Sequence, residues 1–450
     1  MQPAPALAWL DALAELDTGQ VRELAQQLMS DRGGHFLTPG EALPLRPILM
    51  RRSHLMNNVA IGTTLIRLSV ANAQRRCADD PGRLKALLGQ EPVPGAPSPF
   101  REPWHAGTWQ ADIAPHQGVW RFTGFGRGMT APNIAGRTTL GLAYERSLVA
   151  RLLKAGGASL VRPDPQGVWA RSTLQAARRA VRGTGALRIG LLLGPSPSPE
   201  EEQEVEKEAG ALRRLGVKAA RVVLDDADVV FGRVADRDGP FDVVVHDRAT
   251  RAVPIGSSPP ERLRELRASA SGTVFLQADG DPLCSHDVLL AWLYEARHEF
   301  GPRYTRLIHD HVPATFVVDD RPVLIEGVRT SLLTHLETQR EHYVLKGAVS
   351  QEGGTLVGRA AGERQWSEAL DRSVRGHSTV VAQRVTQDDE VPVPLWSDGE
   401  VREEGTFRVP TSALYCGGEY AGALVRLSSS GSAMAQEGSP LHSVLLTLDP

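Results

Sequence analysis

The feature that most restricts the fold is an alternation of strand-length apolar segments with longer polar segments between residues 186 and 299. Four strands are expected there, at 187–193, 217–224, 241–246 and 272–276, with helices at 200–215 and 285–299. Strands that alternate with helices imply right-handed crossovers and a parallel sheet. No glycine-rich dinucleotide fingerprint follows the first strand, so we do not expect a dinucleotide site in this Rossmann-like layer.

Length and composition narrow the class of protein. The chain has 450 residues, of which 41% are hydrophobic, so it can build more than one core. The net charge of −3 gives no reason to expect nucleic acid or an anionic membrane as a partner. Cys77, Cys284 and Cys416 form no pair motif, and neither a basic leader nor a membrane-length apolar run is present. We therefore expect a soluble cytoplasmic protein.

The rest of the chain has a different pattern. Residues 5–30 and 46–88 are predicted to be mainly helical, and 109–113 and 119–125 read as a hairpin. A helix is expected over 140–155. After residue 300 the pattern predicts helices at 329–337 and 363–374, together with strands at 342–346, 355–358, 378–385, 391–395, 405–409 and 422–427.

The segment that carries chemistry begins with a strand that ends in Lys346. A glycine-bearing loop with Glu352, Gly353 and Gly354 follows, and a second apolar strand ends in Gln383 and Arg384. Backbone N–H groups of a tight glycine loop can approach phosphate oxygens, and a lysine adds a full positive charge. Each element alone is common, since a lysine often ends a strand and Gly-Gly often forms a hairpin turn. The order of these elements along the chain is a more specific signal of a nucleotide-binding site than any one of them.

This order resembles the circularly permuted ATP-grasp family, which includes glutathionylspermidine-synthase-like amide ligases. The segments 279–286, 311–313 and 418–427 also resemble that family, and the last carries Arg426. The likeness implies an α/β fold with α+β elements. It implies a helical N-terminal region (1–104), a permuted metal-site half (105–185), a Rossmann-like domain (186–299) and a nucleotide-binding half (300–450).

The resemblance also implies an activity: ATP-dependent amide formation between a carboxylate and an amine through an acyl phosphate. In that reading Lys346, Glu352, Gly353, Gly354, Gln383 and Arg384 bind ATP, Arg426 is catalytic, and Asp112 binds Mg²⁺. The substrates would be a small carboxylate and an amine or peptide.

One departure from the family leaves two functions open. Gly124 and Gly126 stand where the family has a glutamate and an asparagine that bind metal, and glycine has no side chain to do so. The chain is therefore either a ligase with an altered metal site or a catalytically degenerate relative that binds a ligand or a protein partner.

Two other clusters offer weaker alternatives. Asp247 and Arg248 follow a buried strand and suggest a Rossmann-type enzyme unrelated to ATP. His309 and His311 suggest a metal, but no third ligand stands at a suitable spacing, so a structural or surface pair is preferred.

Overall fold

The structure is a computed structural model. It describes residues 4–32, 42–77, 108–127, 131–181, 186–246, 261–276, 287–325, 327–347, 355–375, 379–386, 389–397, 400–428 and 441–449. No helix within these ranges is both long enough and apolar enough to cross a bilayer.

The helices of the described residues are short to medium in length. They are α1 (Ala4–Ala14), α2 (Thr18–Arg32), α3 (Arg52–Cys77), α4 (Ala131–Arg146), α5 (Leu148–Ala155), α6 (Pro165–Ala180), α7 (Pro199–Arg214), α8 (Glu261–Ser269), α9 (Val288–Glu295), α10 (Pro302–His311), α11 (Leu332–Thr338) and α12 (Glu363–Val374). Their ends follow local chemistry. For example, α7 begins with a capping box in which Ser198 and Glu201 satisfy each other's backbone N–H groups.

The strands form several separate sheets. They are β1 (Leu43–Pro44), β2 (Ile48–Met50), β3 (Thr108–His116), β4 (Val119–Arg127), β5 (Ser159–Val161), β6 (Arg188–Leu193), β7 (Lys218–Val223), β8 (Asp228–Val230), β9 (Arg233–Asp236), β10 (Gly239–Pro240), β11 (Val243–Val245), β12 (Val274–Leu276), β13 (Thr315–Val317), β14 (Pro322–Ile325), β15 (Val328–Ser331), β16 (Tyr343–Gly347), β17 (Leu356–Val357), β18 (Val380–Arg384), β19 (Glu390–Ser397), β20 (Glu400–Arg408), β21 (Thr411–Cys416), β22 (Glu419–Leu427) and β23 (Leu441–Asp449).

The parallel sheet predicted from the alternating segments is confirmed. Its order is β12-β11-β6-β7, and all three pairings are parallel. Apolar side chains cover both faces, with Leu191 and Val243 in one buried cluster and Leu192 and Val244 in another. A sheet that is buried on both faces explains why its strands read as continuous apolar runs.

Two further sheets position the candidate site. The large sheet has seven strands in the order β2-β23-β22-β21-β3-β4, with β5 also paired to β23. The predicted hairpin is its edge, β3 and β4, and Gln117 and Gly118 make the turn with positive φ angles. The small sheet has the order β13-β18-β16-β17 and is antiparallel throughout.

The two sheets share one apolar core. The largest buried cluster joins Phe122 and Val425 of the large sheet to Leu345 and Val381 of the small sheet. Helix α9 is almost wholly buried between them and contacts both β4 and β18. The fold therefore holds one face of the small sheet close to the hairpin edge of the large sheet.

Three predicted helices were placed wrongly. The helix expected over 46–88 begins only at Arg52, because residues 48–50 instead pair in parallel with β23; residues 78–88 lie outside the described ranges. The helix expected over 329–337 begins at Leu332, since Ser331 ends β15 and caps the helix through its hydroxyl. The helix expected over 140–155 divides at Ser147, which caps α5.

Candidate functional site

Lys346 and Gln383 lie side by side and meet one carbonyl of the large sheet. In the register of β16 and β18, Lys346 pairs with Val381 and Gln383 pairs with Val344, so both side chains leave the same face of the small sheet. Lys346 Nζ donates to the carbonyl oxygen of Thr123 at 3.1 Å, and Gln383 Nε2 donates to the same oxygen at 3.0 Å. The polar ends of two predicted nucleotide-binding residues therefore converge on β4.

Gln383 is held firmly in this position. Its side chain is 2% exposed, and Nε2 also donates to Thr315 Oγ1 of β13 at 3.1 Å. A buried amide with two acceptors has a fixed orientation, because breaking either bond would leave a polar group unsatisfied.

Two carboxylates approach the residue next to Thr123. Asp112 of β3 is the cross-strand partner of Gly124. A Cβ atom added to Gly124 would lie 3.2 Å from Asp112 Oδ2 and 2.9 Å from Oδ1 of Asp287. The space that a side chain at position 124 would fill is therefore bordered by two acidic groups.

Asp287 is the residue that the sequence reasoning missed. It immediately precedes α9, and its carboxylate is 12% exposed and lies 3.6 Å from Lys346 Nζ. Its side chain makes no capping hydrogen bond to the helix, so it is directed to another partner. The signal in the sequence was an acidic residue at the entry of a helix that is apolar up to Glu295, and this pattern alone indicates an ordinary cap.

The protonation of Asp287 reflects these surroundings. Burial raises the pKa of its carboxyl group, the Lys346 ammonium lowers this pKa, and Asp112 raises it. The opposed effects of Lys346 and Asp112 show that the three charges act on one another. A cation placed between the two carboxylates would relieve the same repulsion.

The carboxylate oxygens at this site are of the type that Mg²⁺ binds. Magnesium is commonly held by one or two carboxylates together with phosphate oxygens and water. Asp112 and Asp287 are two such carboxylates, and Asp112 is exposed. Within the described residues no group of three or more His, Cys, Asp or Glu side chains is arranged for a metal. The pair would therefore need phosphate and water oxygens to complete the coordination.

Arg426 lies on the same face of the large sheet as Asp112. Asp112 pairs with Ser412, Ser412 pairs with Leu424, and Arg426 is two residues beyond Leu424 on β22. Strand spacings place the two Cα atoms about 12 Å apart. The Arg426 side chain is exposed, so it faces the space above this sheet without contacting the carboxylate pair.

A second arginine on this face was not predicted. Arg137 of α4 is 2% exposed, and its Nη2 donates to the carbonyl oxygen of Ser412 at 3.2 Å. Burial is the main cause that lowers its pKa, to about 10, and the charge of Arg426 adds to the lowering while Asp112 opposes it. Its Nε and Nη1 atoms have no hydrogen-bond partner within the described parts of the chain. Sequence patterns offered no signal, because a lone arginine within a helix is usually solvated.

Arg384 is not part of this group. It pairs with Tyr343 in the register of β18 and β16, so its side chain leaves the opposite face from Lys346 and Gln383. There it lines a separate cavity of about 810 Å³ together with Tyr343 and His342. Its predicted contact with the nucleotide is therefore not supported by the position of the side chain.

Other predicted residues are outside the described ranges or apart from the site. Glu352, Gly353 and Gly354 lie outside, as do Asp247 and Arg248. His309 contacts Asp310 at 3.2 Å, whereas His311 contacts the carbonyl oxygen of Trp120 at 3.0 Å. The two histidines thus have different partners.

Comparison with known proteins shows a solved structure that shares the fold of this chain. No protein-family model and no curated protein matches the chain. A solved structure of a glutathione synthetase-like effector from Globodera pallida, in its apo form, matches with a TM-score of 0.55 and 10% identity, over 96% of this chain and 98% of that chain. At such identity the likeness shows the fold alone, a mixed α/β fold shared with this glutathione synthetase-like protein. A putative gamma-glutamylcysteine synthetase from Methylobacillus flagellatus matches with 12% identity over 88% of this chain and 89% of that chain. Its TM-score of 0.42 is too low to support a conclusion about the fold.

Proposed function

We propose that this protein is an ATP-dependent carboxylate–amine ligase of the circularly permuted ATP-grasp type, with an altered metal site. The observation that carries the proposal is the convergence of Lys346, Gln383, Asp112 and Asp287 on Thr123 and Gly124. A lysine, a buried amide and two carboxylates brought together from four separate elements are suited to a nucleotide with its cation. The fold shared with a glutathione synthetase-like protein supports the same class of reaction.

Each residue has a distinct task in this proposal. ATP would supply the phosphoryl group that activates a carboxylate, and Mg²⁺ would neutralise the phosphate charge. Asp112 and Asp287 would hold the metal, and Lys346 would place its charge against phosphate oxygens, as phosphoryl transfer depends mainly on positioning and electrostatics. Gln383 would orient the nucleotide, and the loop of Glu352, Gly353 and Gly354 would offer it backbone N–H groups.

Arg426 would act on the substrate carboxylate that accepts the phosphoryl group. Its exposed guanidinium on the face of Asp112 can attract the substrate carboxylate and stabilise negative charge as the phosphoryl group moves. The substrates in this proposal are a small carboxylate and an amine or a peptide amine.

The contacts of Lys346 favour a second function, that of a binding protein without catalytic activity. Lys346 is already engaged by Asp287 and by the carbonyl oxygen of Thr123, so the groups that would meet phosphates have partners in the chain itself. A degenerate relative that binds a ligand or a protein without catalysis would keep such contacts permanently.

Calorimetric titration with ATP, in the presence and absence of Mg²⁺, separates the two functions. The ligase proposal expects Mg²⁺-dependent binding that is lost in Lys346→Ala and kept in Lys218→Ala, a matched charge loss at an exposed residue of β7. Thermal unfolding of both variants checks that the fold is retained. Wild-type protein should also release ADP when supplied with a panel of carboxylates and amines. Absence of ATP binding would refute the ligase proposal and leave the degenerate binding protein.

A further inference from the structure

The cavity that Arg384 lines is a separate feature of the molecule. It has a volume of about 810 Å³ and lies against the face of the small sheet opposite to Lys346. Tyr294, Ala314 and Tyr343 contribute to its lining, and α10 and the β14–β15 hairpin provide further parts of it. Its size suits a small molecule.

The ionisable side chains that line this cavity are mainly basic ones. Three arginines and four histidines line it, and no carboxylate does so among the described residues. Arg306 of α10 is exposed and makes no hydrogen bond or ion pair with a described residue. His309 lies one turn further along the same helix, and its contact among the described residues is with the exposed Asp310, which is not part of the lining. Arginine and imidazole side chains that share one space, with no carboxylate among its described lining residues, favour an anionic ligand there.

A buried arginine strengthens this conclusion. Arg297 is 7% exposed; its Nη1 donates to the carbonyl oxygen of Tyr294 at 2.7 Å and its Nη2 to that of Leu324 at 3.4 Å. Its guanidinium also lies 4.1 Å from the centre of the Tyr294 ring. These contacts satisfy hydrogen bonds but bring no negative charge, and no described carboxylate pairs with it. Buried charges in proteins are normally paired, so a counter-charge from outside the described chain fits this place.

The neighbouring acidic residues are committed elsewhere. Glu299 pairs with Arg75 at 2.5 Å. Glu337, Glu341 and Glu363 line an adjoining cavity of about 530 Å³. Thr338, Gln339 and His342 line both cavities. The described glutamates nearest the first cavity therefore line the second one, together with Arg340.

We propose that the cavity lined by Arg306, His298, His309 and His342 binds a small molecule with two or more anionic groups, either phosphates or carboxylates. Arg297 provides the buried positive charge beneath it. The site is distinct from the Lys346 site and does not depend on the ligase proposal, because the two lie on opposite faces of the small sheet.

Calorimetric titration with inorganic pyrophosphate and, separately, with citrate tests the proposal. The variants are the double substitution Arg306→Gln/His309→Gln, Lys346→Ala, and Arg303→Gln as a control on an exposed residue of α10 that does not line the cavity. We expect at least one anion to bind wild type, with affinity about tenfold or more weaker in the double variant and unchanged in Arg303→Gln. Lys346→Ala should retain the binding that the double variant weakens.

The two probes also identify the chemistry. Tighter binding of pyrophosphate assigns phosphate recognition to the cavity, and tighter binding of citrate assigns carboxylate recognition. Binding of neither anion overturns the proposal. Binding that is lost in Lys346→Ala but kept in the double variant overturns it as well, since the anion would then occupy the Lys346 site. Because Arg306 and His309 are both exposed, their substitution should leave the fold intact, and thermal unfolding checks this.

Discussion

The close approach of Asp287 to Gly124 predicts that even a single methyl group at position 124 is unfavourable. The Cβ of Gly124→Ala would lie 2.9 Å from Asp287 Oδ1 and 3.2 Å from Asp112 Oδ2. Asp287 cannot move freely, because its side chain is 12% exposed and lies against Lys346. A glutamate at this position would add a longer side chain and a third negative charge to the same space.

The expected magnitude follows from two opposed effects. Overpacking in a well-packed region destabilises a protein by about 1–3 kcal/mol. Replacing glycine by alanine where the backbone allows it stabilises by about 0.4–1 kcal/mol through the unfolded state, and Gly124 does not have a left-handed φ angle. Gly124→Ala should therefore lower the free energy of unfolding in wild type by about 1–2 kcal/mol but be neutral or stabilising in an Asp287→Ala background.

A double-mutant cycle measures this difference. The four proteins are wild type, Gly124→Ala, Asp287→Ala and the double variant, and the readout is the midpoint of thermal unfolding. Each kcal/mol corresponds to about 2–4 °C for domains of moderate size, and contacting residues couple by about 0.5–3 kcal/mol. Gly194→Ala is the control, because an added Cβ there meets nothing within 4 Å. Additive effects at positions 124 and 287 would refute the reasoning, since the two groups would then not share one space.

Two more predictions concern other parts of the fold. Arg384→Ala should change ATP affinity by less than about twofold, because the side chain is on the far face from Lys346, whereas Gln383→Ala should weaken it by about three- to tenfold in the same titration. Burial raises the pKa of Glu295 above its ordinary value of 4.5, an effect that its contacts with the Val317 backbone N–H, Arg76 and Arg321 oppose. The folded protein then holds this proton more tightly than the unfolded chain does. The stability from this group is complete below pH 4.5 and is lost as the pH rises through the folded pKa. Glu295→Gln should therefore gain stability relative to wild type as the pH rises from about 4 to 7, as measured by denaturant unfolding. If the difference in the free energy of unfolding between the two proteins stayed the same over that pH range, the raised pKa of Glu295 would be contradicted.

Much of the secondary structure could be predicted because its signals are local. Helix α12 was placed at its observed bounds, and the β6 and β7 strands within one residue, since apolar periodicity and caps act over a few residues. Strands β2 and β13 were missed because three-residue strands contain too few positions to show a period, and only their distant partners make them strands.

The site was predictable only in part, for a related reason. Lys346 and Gln383 were predicted to bind nucleotide because each ends a strand whose order along the chain is informative. The structure places both side chains at the carbonyl oxygen of Thr123, and their role stays a prediction. Asp287 and Arg137 were missed because their role depends on residues about 160 and 275 positions away, respectively, with which they share no local pattern. The predicted role of Arg384 is not supported by the direction of its side chain, because adjacent strand residues face opposite sides of a sheet and the sequence alone does not say which side is used.

The parallel pairing of β2 with β23 has a consequence for synthesis. Ile48–Met50 has no partner in its final sheet until Leu441–Asp449 has been made. At about 5–20 residues per second, the intervening stretch of roughly 390 residues takes on the order of 20–80 seconds to translate. During that interval the segment leaves the ribosome long before the strand that completes it, so the large sheet can close at this edge only after residues 441–449 have been made.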